Sequence, residues 1–184
     1  MSSKEIRVYD IIEKKVGSNV AMQGLSGLAG FPFTAIADVT VFFSHYGPML
    51  NEIRTVYGRS PISSAAFTPI LKGCKQELLA DMLLDKIVGN IPLIGLPANM
   101  ICAKAMTWRL GILFGMLAAR GEDINQQNVA NAVHLIRELF PQKNSLLFQK
   151  PSAGIVEKLL KTVGGDSVET FDQKITQILD AMAS

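Results

Sequence analysis

Residues that commonly carry chemistry are scarce in this 184-residue chain. It has two cysteines, Cys74 and Cys102, and two histidines, His45 and His134. The cysteines have neither CxxC spacing nor a neighbouring histidine, so we predict no disulfide framework and no zinc site, and a reducing compartment is favoured. The histidines lie far apart, without a nearby acid pair or nucleophile. We therefore predict a protein that is not an enzyme, with no catalytic residue, cofactor-binding residue or metal ligand.

Charge is also sparse. Charged residues make up 18% of the chain and hydrophobic residues 48%, whereas roughly a quarter of the residues are charged in an average protein. The net charge of +2 is spread along the chain, so nucleic acid is not a predicted partner. The charged N-terminus has no apolar signal-peptide region. We expect a cytoplasmic protein, either free or held peripherally or integrally at the cytoplasmic face of a membrane.

Signals for β-strands are lacking as well. Alternation with period two and Asn-Gly or Asp-Gly turns are absent, whereas apolar residues recur at spacings of three and four. The pattern predicts an all-α fold. Predicted helices cover residues 4–15, 39–57, 69–88, 97–119, 126–140, 152–163 and 167–183.

Two long stretches are unusually apolar. No charged residue occurs from Val16 to Ala37, where several glycines and Pro32 favour a broken or re-entrant segment over one straight helix. From Ile87 to Ala119 the only charges are Lys104 and Arg109. We predict a single domain, 1–184, in which two apolar helical hairpins form a core over 16–119. Amphipathic C-terminal helices within 120–184 cover that core.

A few polar residues interrupt these apolar stretches. Asp38 is the only charged residue between Val16 and Asn51, and we interpret it as a helix N-cap. Asn99 is a similar candidate for a cap or polar partner. Lys104 and Arg109 could reach phosphate headgroups, pair with Asp38, or form the solvated edge of a bundle.

Gly111 and Gly115 form a GxxxG pattern in the second apolar stretch. Glycine lets a second helix backbone approach closely. The pattern therefore predicts a tight helix contact, either between the two hairpins of one chain or between two copies in a homo-oligomer. A chance occurrence in a glycine-rich chain is the alternative.

Two segments share a recognisable pattern. The first, GFPFTAIADVTVFFSHYGPMLNEIRTVYGR, has a Pro and Asp start at Asp38, an apolar helix and a closing Tyr57-Gly58. The second, VGNIPLIGLPANMICAKAMTWRLG, has a proline and glycine turn followed by Asn99, Ala103, Thr107 and Leu110-Gly111. With these segments, the region from about Val20 to Ala119 resembles a bacterial helical family known as domain of unknown function 697. The resemblance implies a membrane-associated helical domain that accompanies a GTPase. Pro32 stands alone where the family has paired prolines, and the chain has no GxxxxGK[ST] phosphate cradle. A GTPase partner would therefore be a separate protein.

Three functions are compatible with these patterns. We expect a non-catalytic, membrane-associated interaction or regulatory module, whose partner is a bilayer or an apolar protein surface. The alternatives are a fully soluble helical scaffold or adaptor, in which the apolar segments are the core, and a pore-forming or membrane-remodelling protein.

Overall fold

The computed structural model describes residues 2–26, 39–70, 95–121, 124–139 and 149–165, and within these ranges the chain is helical without any strand. The helices are α1 (Lys4–Ser26), α2 (Val39–Val56), a short 3₁₀ helix (Ala65–Phe67), α3 (Gly95–Arg120), α4 (Gln126–Leu139) and α5 (Ala153–Val163). The predicted all-α class is therefore confirmed. The turns of the two predicted hairpins, the predicted helix at 69–88 beyond residue 70 and the predicted helix at 167–183 lie outside the described residues.

Local sequence signals set several helix ends. Ser152 is the N-cap of α5, where its hydroxyl oxygen accepts a hydrogen bond of 3.3 Å from the backbone N–H of Ile155. Gly58, with φ of 71°, follows α2 in the left-handed conformation that glycine adopts without steric cost. Gly121, with φ of 68°, ends α3 in the same way. The predicted boundaries of α2 to α5 agree with the structure to within about two residues.

The first helix is longer than the sequence indicates. We predict an end near Lys15 and a broken segment after it, but α1 continues through Gly17 to Ser26. The predicted end near Lys15 was wrong because a glycine costs only about 1 kcal/mol in a helix, which packing readily offsets. The predicted break around Pro32 lies outside the described residues. Beyond Gly17, the buried side chain of Asn19 is tied to Thr107 of α3 by a hydrogen bond of 2.9 Å.

Helix α3 is the centre of the described fold. It contacts α1, α2, α4 and α5, and α1 in turn contacts α2 and α5. Phe67, from the 3₁₀ helix, lies between Phe42 of α2 and Phe114 of α3, with ring centroids 5.5 and 6.0 Å away. The predicted stripe of α4 is buried as expected: Val129, Ala132, Val133 and Ile136. The apolar second half of α3 is therefore enclosed by helices of its own chain.

Candidate functional site

The structure describes only part of the predicted polar set. Asp38 and the side chain of Asn99 lie outside the described residues. On α3, the side chain of Lys104 is exposed and that of Arg109 is half-buried. Arg109 takes part in an interaction within the protein. Contact of either residue with headgroups stays a prediction.

The two glycines of the GxxxG pattern lie at helix contacts within the chain. A Cβ atom at Gly111 would collide with the side chain of Ile12 on α1, lying 2.7 Å from its Cδ1 atom. A Cβ atom at Gly115 would lie 3.0 Å from Cδ2 of Leu160 on α5 and 3.3 Å from Cγ1 of Val8 on α1. Real Cβ atoms essentially never approach as closely as 2.7 Å. The missing side chains thus let α1 and α5 approach the backbone of α3.

A polar cluster that the sequence analysis did not single out lies where α1, α2 and α3 meet. Asn19 and Thr107 are 3% and 0% exposed, and the Asn19 amide Nδ2 donates to Thr107 Oγ1 at 2.9 Å. Tyr46 is also buried, and burial raises the pKa of its phenol to about 12, although a hydrogen bond with Thr107 acts in the opposite direction. The Oδ1 atom of Asn19 is buried without a hydrogen-bond partner. Such an atom has lost its water without compensation.

Two basic side chains border this cluster. The Lys15 ammonium lies 5.7 Å from the ring centroid of Tyr46, and burial lowers the pKa of Lys15. The imidazole of His45 meets the Tyr46 ring edge to face, with centroids 4.6 Å apart. Burial, with a smaller contribution from the positive charge of Lys15, lowers the pKa of His45 to about 4. His45 is therefore neutral near pH 7, and Tyr46 keeps its proton.

A second buried polar atom lies at the other end of α2. The hydroxyl of Tyr57 has no hydrogen-bond partner, and burial together with the negative charge of Glu5 raises the pKa of this phenol. Each of these two buried polar atoms costs free energy, which the apolar packing of the bundle must offset.

The chemistry available to the cluster is that of hydrogen bonding. Lys15, Asn19, His45, Tyr46 and Thr107 include no carboxylate and no activated nucleophile. Across the described part of the chain, no three His, Cys, Asp or Glu side chains come close enough to share a metal ion. The cluster can fix the position of α1 on α3, because a buried polar pair tolerates only one pairing.

Sequence reasoning could have suggested Asn19 but not its partner. Asn19 is one of few polar residues in an uncharged run, and such a residue in a buried helix needs a hydrogen bond. Thr107 lies 88 residues away. No local pattern connects the two, and the same holds for Ile12 and Gly111.

Comparison of the chain with models of known families, with curated proteins and with solved structures finds no match. Among the described helices, none combines the length and the apolar character needed to cross a membrane.

Proposed function

We propose that this chain is a non-catalytic helical scaffold that uses its second apolar stretch as its own core. One observation carries the proposal. From Ala105 to Ala118 every side chain of α3 is buried except that of Arg109, which is half-buried. A helix that is apolar on all sides must be surrounded either by protein or by lipid. Here the helices of the same chain supply the surroundings of this segment.

The outer surface of the described bundle is mostly polar, as is typical of a surface in contact with water. Ile155, at 43% exposure, is the one large hydrophobic side chain that is exposed in the described part of the chain. Charged side chains such as Lys4, Arg7 and Lys158 are exposed on α1 and α5. A partner that bound these faces would meet polar side chains, as at the rim of a transient protein interface.

A membrane-associated module is the second candidate, and a different observation favours it. The run from Val16 to Ala37 carries no charge, and its first half is the end of α1. An uncharged helical segment next to a charged one is compatible with insertion at a bilayer interface. In this reading a separate GTPase would bind the module, as the family resemblance implies.

Flotation with vesicles separates the two candidates. The purified chain is mixed with neutral phosphatidylcholine vesicles and with vesicles containing phosphatidylglycerol, and its mass is measured by light scattering without detergent. A scaffold stays at the bottom of the gradient with both vesicles and is monodisperse. Flotation with either vesicle would overturn the scaffold proposal, and release of a trapped dye would instead indicate a pore-forming protein.

A pair of variants locates any membrane contact. Leu28→Lys places a charge in the uncharged run, and Ala130→Lys places the same charge on an exposed position of α4. Loss of flotation in the first variant alone would assign binding to the uncharged run. Circular dichroism of both variants checks that they remain helical.

A further inference from the structure

Helix α1 consists of two halves with different chemistry. Seven charged residues lie between Lys4 and Lys15, whereas none follows from Val16 to Ser26. The first half packs an apolar side on the protein, since Val8 and Ile12 are buried, and its exposed charged residues are Lys4, Arg7, Asp10 and Lys14. The helix is continuous across the change.

The junction of the halves is built from poor helix formers. Gly17 is exposed, and a Cβ atom added there would meet nothing within 4 Å. The hydroxyl of Ser18 donates to the backbone carbonyl of Lys15 at 2.9 Å. Gly/Ser pairs are common sites of helix kinks, and a serine that bonds back to the preceding turn often bends the helix. Asn19 follows directly, with a further low helix propensity.

The first half of α1 contacts several other parts of the protein. Ile12 packs on the backbone of α3 at Gly111. At the N-terminal end, the Ser3 hydroxyl donates to Glu157 Oε1 of α5 at 2.9 Å, and the Lys150 ammonium donates to Glu13 Oε1 at 2.8 Å. These contacts join three separate parts of the chain to residues 3–13.

In the second half, keeping Asn19 buried costs free energy. Asn19 is bound to Thr107 through its amide nitrogen, but its Oδ1 atom is buried without a partner. When this residue leaves the core, both ends of the amide regain hydrogen bonds to water. The hydrogen bonds that Asn19 gains with water on opening therefore offset part of the free energy lost when its bond to Thr107 breaks.

We infer that Gly17, Ser18 and Asn19 form a hinge, and that residues 18–26 of α1 open as a unit while residues 4–16 stay packed. At one point of the helix, the three residues supply a flexible backbone, a serine bonded back to the preceding turn and an incompletely satisfied polar anchor. Opening presents a stretch without charge to the surroundings.

Native-state hydrogen exchange on the full chain tests the hinge. Two variants place the same substitution at two exposed helical glycines, Gly17→Ala and Gly154→Ala, each with no atom within 4 Å of the added Cβ. Glycine to alanine favours the helix, which corresponds to a roughly two- to fivefold change in an opening equilibrium. We expect the amides of 18–26 to exchange faster than those of 8–16 in the parent protein.

The two variants should then differ in their effect on amides 18–26. Gly17→Ala should raise the protection of amides 18–26 by about two- to fivefold, because residue 17 loses its helix when the hinge opens. Gly154→Ala stabilises α5, which stays folded during the opening, so it should raise the protection of amides 8–16 and leave 18–26 unchanged. Equal protection of both halves in the parent protein, or a rise at 18–26 in Gly154→Ala matching that at 8–16, would overturn the hinge.

Discussion

Helices α1 and α3 are the two longest described helices, with 23 and 26 residues, and both contain glycine inside the helix. The surroundings of these glycines are opposite. Gly111 is buried against Ile12, whereas Gly17 faces open space. In α3 the missing side chain creates a contact surface for a neighbouring helix. In α1 it weakens the backbone without improving any contact.

The polar residues of the two helices differ in the same way. Thr107 of α3 is bonded within the buried cluster, whereas Asn19 of α1 leaves one of its two polar atoms without a partner. The buried hydroxyl of Thr107 is hydrogen-bonded, so the central helix has no uncompensated polar atom at this contact and can serve as the fixed element of the bundle. The first half of the first helix is attached to it by apolar packing, and Asn19 adds a hydrogen bond from a side chain that is only partly satisfied.

The largest expected effect comes from adding bulk at the close contact. Gly111→Leu should lower the free energy of unfolding by about 3 kcal/mol, because the side chain overlaps Ile12. The matched change Gly17→Leu enters open space and should cause no loss, with a gain of up to about 0.8 kcal/mol from helix propensity. Urea unfolding of both variants measures the difference. Equal stability of the two variants would contradict the contrast between the glycines.

A double-mutant cycle confirms which atoms collide. Gly111→Ala combined with Ile12→Ala should cost less than the sum of the two single changes, since the second removes the atoms that the first would meet. Additive losses would mean that α1 is not what the residue at 111 meets.

The next effect concerns the buried hydrogen bond. Thr107→Val keeps the shape of the side chain but leaves the Asn19 amide without its acceptor, which should cost about 1–3 kcal/mol of unfolding free energy. Adding Asn19→Leu removes the unpaired amide, so the double variant should regain much of the loss. Chemical denaturation at pH 7 measures both. A double variant as unstable as the sum of its parts would show that the bond is not the source of the effect.

A smaller effect depends on pH. Because the pKa of His45 falls from 6.5 to about 4 in the folded protein, the unfolded chain binds more protons between these values, and stability falls as the pH drops through this window. We expect a loss of about 1 kcal/mol between pH 7 and pH 4, less than full burial would give because the ring is partly screened by water. His45→Gln should weaken this dependence in urea unfolding, and an unchanged pH profile would rule out His45 as its cause.

The smallest effect is expected at the exposed ion pair between Glu13 and Lys150, whose atoms are 2.8 Å apart. Both side chains are largely in water, where such a pair gains little. Glu13→Gln should leave the midpoint of urea unfolding almost unchanged. A clear shift would indicate that ionic contacts, and not Ile12 and its neighbours, hold the first half of α1.

The features that the sequence predicts well are those encoded by neighbouring residues. Ser152 ahead of an apolar stripe indicates the start of α5, and Gly58 indicates the end of α2, because capping involves residues within one turn. The helix end expected near Lys15 is wrong for the complementary reason. A glycine is a weak local signal, and the packing of a long helix on a distant partner outweighs it.

The site depends on pairings that no local pattern contains. Gly111 and Gly115 suggest a close contact, but their neighbours on α1 and α5 come from far away in the chain. The cluster of Asn19, Tyr46 and Thr107 assembles only when three helices meet. Polar residues in apolar runs indicate that partners must exist, but only the packed structure identifies them.

The distance along the chain between the two halves of the α1–α3 contact also has a consequence during synthesis. Asn19 leaves the ribosome 88 residues ahead of Thr107, a delay of roughly 5 to 20 seconds at typical translation rates. Throughout this time α1 has emerged without the helix that it packs on. A nascent chain of this protein would therefore expose Val8 and Ile12 until α3 is made. A chaperone that binds short apolar segments could bind α1 during this interval.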